Sequence, residues 1–222
     1  MEILRTSNIS KTYMQGHEQL QVIKSVNIAF YEGTVNVITG ESGSGKTTLL
    51  NLLAGIDQPT GGTVFYRGID FYKCNEKKQA FIRGNNYGIV FQFFNLIPEL
   101  TVEDNIKLPA IINHQSIDFR YYKKLIEILK LRRLLSKRTS ILSGGEQQRV
   151  AIARAMLLKP SIVFADEPTG NLDRKNSQVI VDMFTEIKAN FDTTMIIVTH
   201  DVNLFQHPDN KFVMNDGYLL QG

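Results

Sequence analysis

The sequence contains a single cysteine, Cys74, in 222 residues. The chain therefore cannot form an internal disulfide, which fits a reducing compartment. No apolar run approaches the roughly 18 residues that a membrane-spanning helix needs, and residues 1–5 show no signal-peptide pattern. There is no internal repeat, low-complexity tract or linker. These absences predict one large cytoplasmic domain whose contact with a membrane depends on a partner.

The composition is that of an ordinary globular protein, with 43 % hydrophobic and 21 % charged residues. The formal net charge is +3, and the Lys and Arg residues are dispersed along the chain. This mild basicity is only weak evidence for contact with anionic membranes or nucleic acid.

The most specific motif is the phosphate loop G-x-x-x-x-G-K-[ST]. Its residues are Gly40, Glu41, Ser42, Gly43, Ser44, Gly45, Lys46 and Thr47. The motif follows an apolar run at 35–39 and precedes a helical pattern that ends at Gly55. The glycines let backbone N–H groups surround phosphate oxygens, and the helix N-terminus and Lys46 add positive charge. With the Thr47 hydroxyl available to Mg²⁺, the motif predicts a nucleoside triphosphate site.

Hydrophobic patterning predicts an α/β fold. Strands are predicted at 2–9, 22–31, 63–66, 87–91, 161–165 and 194–199. Helices are predicted to begin at Thr101 and to cover 121–135, 143–158 and 174–190. The continuous apolar runs at 161–165 and 194–199 indicate parallel strands buried on both faces, and the middle of the chain is predicted to be a helical insertion.

An acidic pair, Asp166 and Glu167, follows the apolar strand at 161–165. Such a pair can simply close a strand. After a phosphate loop, however, the favoured interpretation is functional, because ligands bind at the carboxyl ends of parallel strands. Asp166 suits the orientation of hydrated Mg²⁺, and Glu167 suits the polarisation of an attacking water.

The segment that begins at Ser143 has two compatible interpretations. Ser143 and Glu146 form the pattern of a helix capping box. The glycines between them would also let a phosphate approach the helix N-terminus.

With Leu142 before it and Gln147-Gln148-Arg149 after it, this segment resembles the signature motif of the ATP-binding-cassette (ABC) ATPases, with Glu146 where many members carry Gln. The resemblance runs from end to end. It implies a P-loop NTPase (RecA-like) parallel-sheet core, an antiparallel N-terminal β subdomain and a helical subdomain inserted before the signature motif. A single domain over 1–222 would then have its core at about 1–92 and 159–222, and its helical subdomain at about 93–158.

The resemblance also implies roles for single residues. Tyr13 matches the aromatic residue that stacks on adenine, and Thr48 joins the phosphate loop in binding ATP. Gln92 matches the glutamine that senses Mg²⁺, water and the transport partner, and His200 matches the histidine that contacts the γ-phosphate. The implied catalytic residues are Glu167, His200 and Gln92, and the implied Mg²⁺ ligands are Thr47, Gln92 and Asp166.

Taken singly, several of these residues have ordinary structural interpretations. Tyr13 can be a plain surface or core aromatic, Gln92 a polar residue at a strand end, and His200 a structural histidine. Their order along the chain favours the functional assignment.

Cassettes of this family pair head to tail, which implies a dimer with a second copy or a paralogue. The signature residues Leu142, Ser143, Gly144, Gly145 and Glu146 would act in trans on the neighbour's ATP. The loop Asn171, Leu172 and Asp173 would communicate across the dimer, although Asp173 can also cap a helix.

Residues 91–106 and 169–173 resemble the macrolide-export and lipoprotein-release branch of the family. The resemblance implies a separate transmembrane permease, contacted through residues of about 93–106, and a location on the inner face of the cell membrane. The apolar side chains in 93–97 can alternatively belong to the core.

Three functions follow as hypotheses. The leading one is an ATPase subunit that powers export of a peptide, bacteriocin-like or antimicrobial compound. The second is a mechanotransmitting or regulatory ATPase for cell-envelope processes. The third, a nucleic-acid ATPase, is disfavoured because the chain has one cysteine and a short interval between Gln92 and Ser143. We therefore expect no nucleic-acid partner.

Overall fold

The computed structural model describes residues 1–16, 18–201 and 204–221. The chain divides into two compact units, residues 1–83 with 194–222 and residues 84–193. The strands are β1 (Glu2–Gln15), β2 (Glu18–Val26), β3 (Ala29–Tyr31), β4 (Val35–Gly40), β5 (Gly61–Tyr66), β6 (Ile69–Asp70), β7 (Tyr87–Val90), β8 (Ile162–Asp166), β9 (Thr194–Thr199), β10 (Asn210–Asn215) and β11 (Tyr218–Gln221). The helices are α1 (Lys46–Leu53), α2 (Glu76–Asn86), α3 (Val102–Ile112), α4 (Phe119–Ile128), α5 (Gly144–Met156) and α6 (Arg174–Asn190), with a 3-10 turn at Thr139–Ile141. None of the helices in the described part of the chain combines the length and apolar character needed to cross a membrane.

The first unit contains an antiparallel sheet in the order β2-β1-β5-β6, with β3 also paired to β1. This confirms the antiparallel N-terminal β subdomain. Strand β1 runs to Gln15, well beyond the predicted end at residue 9, because it pairs first with β3 and β5 and then with β2. The predicted strand at 22–31 is divided between β2 and β3.

The same unit contains parallel strands, with β4 between β10 and β9 and with β11 antiparallel to β10 at the edge. All six residues of β9 are buried, as are the central residues of β4. Burial on both faces explains the continuous apolar run at 195–198 of β9. In β4 the buried polar side chains of Asn36 and Thr39 donate hydrogen bonds to the carbonyl oxygens of Met195 and Phe212. Helix α1 packs against β4 and β9 and buries Leu49, Leu50, Leu52 and Leu53.

The second unit contains the parallel pair β7 and β8, and α5 packs on β7, α3 and α6. Helix α6 spans the predicted residues 174–190, and α3 begins after Thr101 as predicted. The expected helical subdomain of about 93–158 lies within this unit. That subdomain boundary remains a prediction.

The predicted helix at 121–135 is wrong at both ends. Helix α4 begins at Phe119, because Asp118 caps it by accepting hydrogen bonds from the backbone N–H groups of Arg120 and Tyr121. It ends at Ile128, and Lys130 then adopts a φ of +53°. A residue in this left-handed conformation cannot continue a right-handed helix. The buried leucines that follow, Leu131 and Leu134, therefore lie in turns and not in the helix.

Candidate functional site

The phosphate-loop motif lies between β4 and α1 in the first unit. Gly45, the N-cap of α1, has a φ of +104°, and a Cβ there would lie 2.9 Å from the carbonyl oxygen of Val22. A Cβ at Gly40 would lie 2.3 Å from the carbonyl oxygen of Met214. The backbone path itself therefore requires glycine at these two positions.

The Lys46 side chain curls back into this loop. Its Nζ donates hydrogen bonds to the carbonyl oxygens of Gly40 at 2.9 Å and Glu41 at 2.8 Å. The Ser44 Oγ is buried and has no hydrogen-bond partner among the described residues. A buried cation and an unpartnered hydroxyl beside a helix N-terminus suit an anion, because phosphate oxygens can accept hydrogen bonds from both.

The other motif residues differ in exposure. Glu41, Ser42, Gly43 and Thr47 are exposed, whereas Thr48 is half-buried. Thr48 forms a side-chain hydrogen bond with Tyr13. The first turn of α1 thus connects the phosphate loop to the predicted base-stacking tyrosine.

Tyr13 lies near the end of β1 and is 40 % exposed. Its hydroxyl donates a hydrogen bond to Oδ2 of Asp57 at 2.7 Å. Burial, followed by the hydrogen bond and negative charge of Asp57, raises the pKa of Tyr13. The phenol therefore remains a protonated donor at neutral pH.

His200 comes directly after β9 and is exposed. The register pairs Thr199 at the end of β9 with Thr39 in β4, one residue before the phosphate loop begins at Gly40. Because parallel strands end at the same edge of a sheet, His200 and the start of the loop share that edge. Residues 202 and 203 lie outside the described residues.

The second unit brings the predicted acidic and glutamine residues to a common strand edge. Asp166 ends β8, and Val90 at the end of β7 is in register with Ala165. Glu167 has a φ of +43°, an uncommon conformation for a residue with a side chain and one found at functional sites. A Cβ added to Gly170 would lie 3.1 Å from Nε2 of Gln92 and 3.4 Å from Cβ of Glu167. Gln92 and Glu167 therefore flank the same glycine.

The loop 171–173 contacts the segment that contains Gln92. Asn171 Nδ2 donates a hydrogen bond to the Gln92 carbonyl oxygen at 2.8 Å. Asp173 caps α6 by accepting from the backbone N–H of Asn176 at 2.8 Å, so the predicted cap is confirmed. Hydrogen bonds from the Asn176 backbone and side chain lower the pKa of Asp173.

The signature segment begins α5 with the predicted capping box. Ser143 N donates to Glu146 Oε2 at 2.9 Å, and the Glu146 backbone N–H donates to Ser143 Oγ at 3.4 Å. The bond from the Ser143 backbone is the largest cause of the lowered pKa of Glu146. A Cβ at Gly144 would lie 3.4 Å from Leu172 Cδ2, so the signature helix starts against the 171–173 loop. Leu142 is buried, which anchors the segment before the cap.

The segment 93–106 is partly exposed. Phe93 is 73 % exposed and Ile97 is exposed, whereas Phe94 is half-buried. Arg154 of α5 donates hydrogen bonds to the carbonyl oxygens of Phe94 at 2.8 Å and Asn95 at 2.6 Å. The backbone here is thus held firmly while Phe93 stays outside the core.

Sequence reasoning missed several residues that build these clusters. Lys11 and Asp57 hold Tyr13, although 46 positions separate the two in the chain. Arg154 likewise holds the distant backbone of Phe94 and Asn95, and the Asn176 N–H donates to Asp173, three residues before it. No local pattern signals such pairs; only the spacing Lys11-x-Tyr13 beside a matched motif could have drawn attention to Lys11.

Comparison with known proteins gives one consistent result. The family model described as "ABC transporter" matches residues 23–170, about two thirds of the chain. The chain is 38 % identical to the lipoprotein-releasing system ATP-binding protein LolD of Buchnera aphidicola, over 98 % of this chain and 96 % of that protein. It is 40 % identical to the LolD protein of Shewanella frigidimarina, over 98 % of this chain and 92 % of that protein.

Solved structures give the same picture. A dimeric structure of MJ0796, a bacterial ABC transporter cassette, matches with a TM-score of 0.87 and 36 % identity, over 98 % of this chain and 96 % of that one. A post-hydrolysis dimer of the same cassette, bound to ADP and Pi, matches equally well, with a TM-score of 0.87, 36 % identity and the same coverage of 98 % and 96 %.

Proposed function

The chain belongs to the ABC transporter family, and on that basis we propose that it powers a separate membrane permease that releases lipoproteins from a membrane. As a member of this family it is an ATP-binding subunit and an ATPase that converts ATP and water to ADP and phosphate. It works as a dimer of cassettes.

The cargo rests on one observation. The chain is similar over nearly its full length to ATP-binding proteins of lipoprotein-releasing systems, at 38 and 40 % identity. Nothing comparable supports the export of a peptide or antimicrobial compound, which stays a prediction from the sequence. We expect the subunit to act at the cytoplasmic face of the membrane, where ATP is available.

The residues proposed to bind the nucleotide lie in the first unit. The backbone of the phosphate loop, the N-terminus of α1 and Lys46 would bind the phosphates, and Tyr13 would stack on adenine. The buried, unpartnered Ser44 Oγ supports this assignment, because a phosphate oxygen would satisfy it.

The residues proposed for Mg²⁺ fit that ion. Thr47, Gln92 and Asp166 supply a hydroxyl, an amide oxygen and a carboxylate, and Mg²⁺ prefers oxygen ligands together with waters and substrate phosphates. Among the described residues, no group of three or more His, Cys, Asp and Glu side chains could hold a metal. A Mg²⁺ ion that is bound together with a nucleotide does not need such a group, because one or two carboxylates and the phosphates of the nucleotide suffice. When bound, Mg²⁺ neutralises charge on the phosphoryl oxygens.

Hydrolysis would use the carboxylate of Glu167 to polarise the attacking water and accept its proton. His200 would donate a hydrogen bond to a γ-phosphate oxygen, and the amide of Gln92 would orient the water. Phosphoryl transfer depends mostly on such positioning and charge stabilisation. Gln92 and Glu167 both lie beside Gly170, which supports a joint role.

The signature segment would complete the site of the neighbouring cassette. Ser143 and Gly145 would contact the γ-phosphate in trans, so ATP would hold two subunits together and its hydrolysis would release them. The segment 93–106 would meet the permease, which the exposure of Phe93 supports. The Asn171–Gln92 and Leu172–Gly144 contacts would connect that docking segment to the signature helix.

The test is a reconstitution. The chain and its cognate membrane subunits are incorporated into liposomes that carry a lipidated reporter protein, and ATP is added with an acceptor protein. Release of the reporter by the native chain, and its absence with Glu167→Gln, would support the proposal. Transfer of a peptide, without release of the lipidated reporter, would show that the cargo is a peptide and not a lipoprotein. ATP hydrolysis with no released or transported substrate would favour the mechanotransmitting alternative.

A further inference from the structure

Tyr13 is held at its hydroxyl and covered on one face of its ring. The hydroxyl donates to Oδ2 of Asp57 at 2.7 Å, and Lys11 Nζ donates to Oδ1 of the same carboxylate at 2.7 Å. Lys11 Nζ also lies 4.7 Å from the centroid of the Tyr13 ring. These three residues form the Lys11–Asp57–Tyr13 cluster.

The cluster is anchored to the loop that follows α1. Lys11 Nζ also donates to the carbonyl oxygen of Gln58 at 2.6 Å, and the Gln58 N–H donates to Oδ1 of Asp57 at 2.7 Å. The Thr12 N–H donates to Oγ1 of Thr60 at 3.0 Å. The end of β1 is therefore connected to the helix whose first turn carries the phosphate-loop lysine.

The charges favour this arrangement at neutral pH. Burial alone would raise the pKa of Asp57, but hydrogen bonds from Lys11, Tyr13 and the Gln58 backbone outweigh it, and the pKa is lowered. Asp57 therefore remains a carboxylate, and it accepts hydrogen bonds from both side chains at once. The side chains of Lys11 and Asp57 are only 12 % and 30 % exposed, so water screens their attraction incompletely.

An aromatic ring offers two faces to a stacking partner. The Lys11 ammonium lies at cation–π distance on one face of Tyr13, and the residue is 40 % exposed, so a stacked base would take the opposite face. The hydrogen bond to Asp57 restricts rotation of the ring before a nucleotide arrives. Restricting a binding group in its bound orientation improves affinity, because less conformational entropy is lost on binding.

We propose that Lys11 and Asp57 are positioning residues that hold Tyr13 as a one-sided platform at a set place relative to the phosphate loop. This inference rests on the proposed function, in which Tyr13 stacks on the base of the nucleotide. The two residues touch neither base nor phosphate in this proposal. They act through the tyrosine and should contribute only to the part of the affinity that comes from the base.

The experiment compares a ligand that has a base with one that lacks it. Isothermal titration calorimetry with ADP and with inorganic pyrophosphate, both with Mg²⁺, avoids hydrolysis in either case. Asp57→Ala should weaken ADP binding about threefold to tenfold, the range expected for the loss of a side-chain hydrogen bond. Pyrophosphate binding should change less than about twofold. Asp57→Asn, which keeps one acceptor oxygen, should restore part of the loss.

A second arm tests whether Asp57 acts through the tyrosine. In a Tyr13→Phe background the hydroxyl is already absent, so Asp57→Ala should weaken ADP binding by much less than it does in the native chain. The chain offers a matched control in Asp216, whose Oδ2 pairs with Lys24 Nζ at 2.8 Å while Lys24 lies 5.2 Å from the Tyr218 ring. Asp216→Asn should leave the affinity for ADP within about twofold of native.

The outcomes separate this inference from the function on which it rests. Equal weakening of ADP and pyrophosphate by Asp57→Ala would mean a general loosening and would overturn the inference. Native ADP affinity in Asp57→Ala, together with a loss in Tyr13→Ala, would overturn it as well but would keep the stacking role. Native ADP affinity in Tyr13→Ala would reject stacking itself.

Discussion

The side-chain amide of Asn171 donates a hydrogen bond to the main-chain carbonyl of Gln92 over 2.8 Å. The next residue in the loop, Leu172, lies where a side chain on Gly144 would touch it. Within one subunit, a short series of contacts therefore runs from the glutamine to the first turn of the signature helix. The segment after β7, the 171–173 loop and the start of α5 are therefore neighbours within this unit.

Asn171→Ala should leave ATP affinity within about threefold of native but lower the ATPase rate severalfold, because Gln92 loses a backbone anchor of about 1 kcal/mol. Steady-state ATPase assays and calorimetry would measure the two effects. Asn190→Ala is a matched control, since that exposed amide also donates to a backbone carbonyl, at Glu186. An unchanged rate in Asn171→Ala would mean that the hydrogen bond has no catalytic role.

Glu167→Gln should keep ATP binding and lose at least about 100-fold in hydrolysis, since an amide cannot accept the proton of the attacking water. ATP should then hold the variant as a dimer that size-exclusion chromatography detects. Glu186→Gln, an exposed position on α6, should behave as native. A Glu167→Gln variant that hydrolyses ATP at the native rate would remove this residue from the mechanism.

Lys46→Ala should weaken ATP binding about 10- to 100-fold, because a charge-assisted hydrogen bond to phosphate contributes roughly 1.5–3 kcal/mol. Calorimetry with ATP would detect the change, and Lys77→Ala on the exposed face of α2 serves as the control. Native affinity in Lys46→Ala would contradict the phosphate-loop assignment.

Phe93→Ser should weaken assembly with the permease while leaving the ATPase activity of the isolated chain near native. The reason is that Phe93 is 73 % exposed and supplies apolar contact area rather than core packing. Co-purification with the membrane subunits would measure it. Phe119→Ser, at a position 72 % exposed in α4, is the matched control. Equal loss of assembly in both variants would argue against a specific role for the 93–106 segment.

The ionisation of Asp118 should make the free energy of unfolding depend on pH. A hydrogen bond from Lys159, followed by one from the Tyr121 backbone, lowers the pKa of Asp118 from 3.8 to about 2. Because the folded-state pKa is the lower one, the stabilisation is complete above the unfolded-state pKa and disappears as the pH falls towards about 2. Asp118→Asn should therefore reduce the free energy of unfolding at pH 7, and the difference from native should shrink between about pH 5 and pH 3.

Urea unfolding across that range would test this pH dependence, with Asp182→Asn, at an exposed position on α6, as the control. A difference between native and Asp118→Asn that does not vary with pH would indicate a loss of capping geometry instead of a loss of charge.

Features that depend on neighbouring residues were predictable. The capping box of Ser143 and Glu146, the cap at Asp173 and the bounds of α6 all follow from short-range spacing, and the structure confirms them. The C-terminal end of α4 was not predictable. The apolar residues after Ile128 are buried although they lie in turns, and their spacing in the sequence resembles that of a helix.

The sequence by itself determined the motifs, because a phosphate loop needs only a strand, a glycine turn and a helix in succession. It also determined the family, since the motifs occur in order along the chain. Only the tertiary structure decided that Asp57 holds Tyr13 and that Asn171 holds Gln92. Those pairs lie far apart in sequence, and strand register and helix packing alone bring their atoms within hydrogen-bond distance.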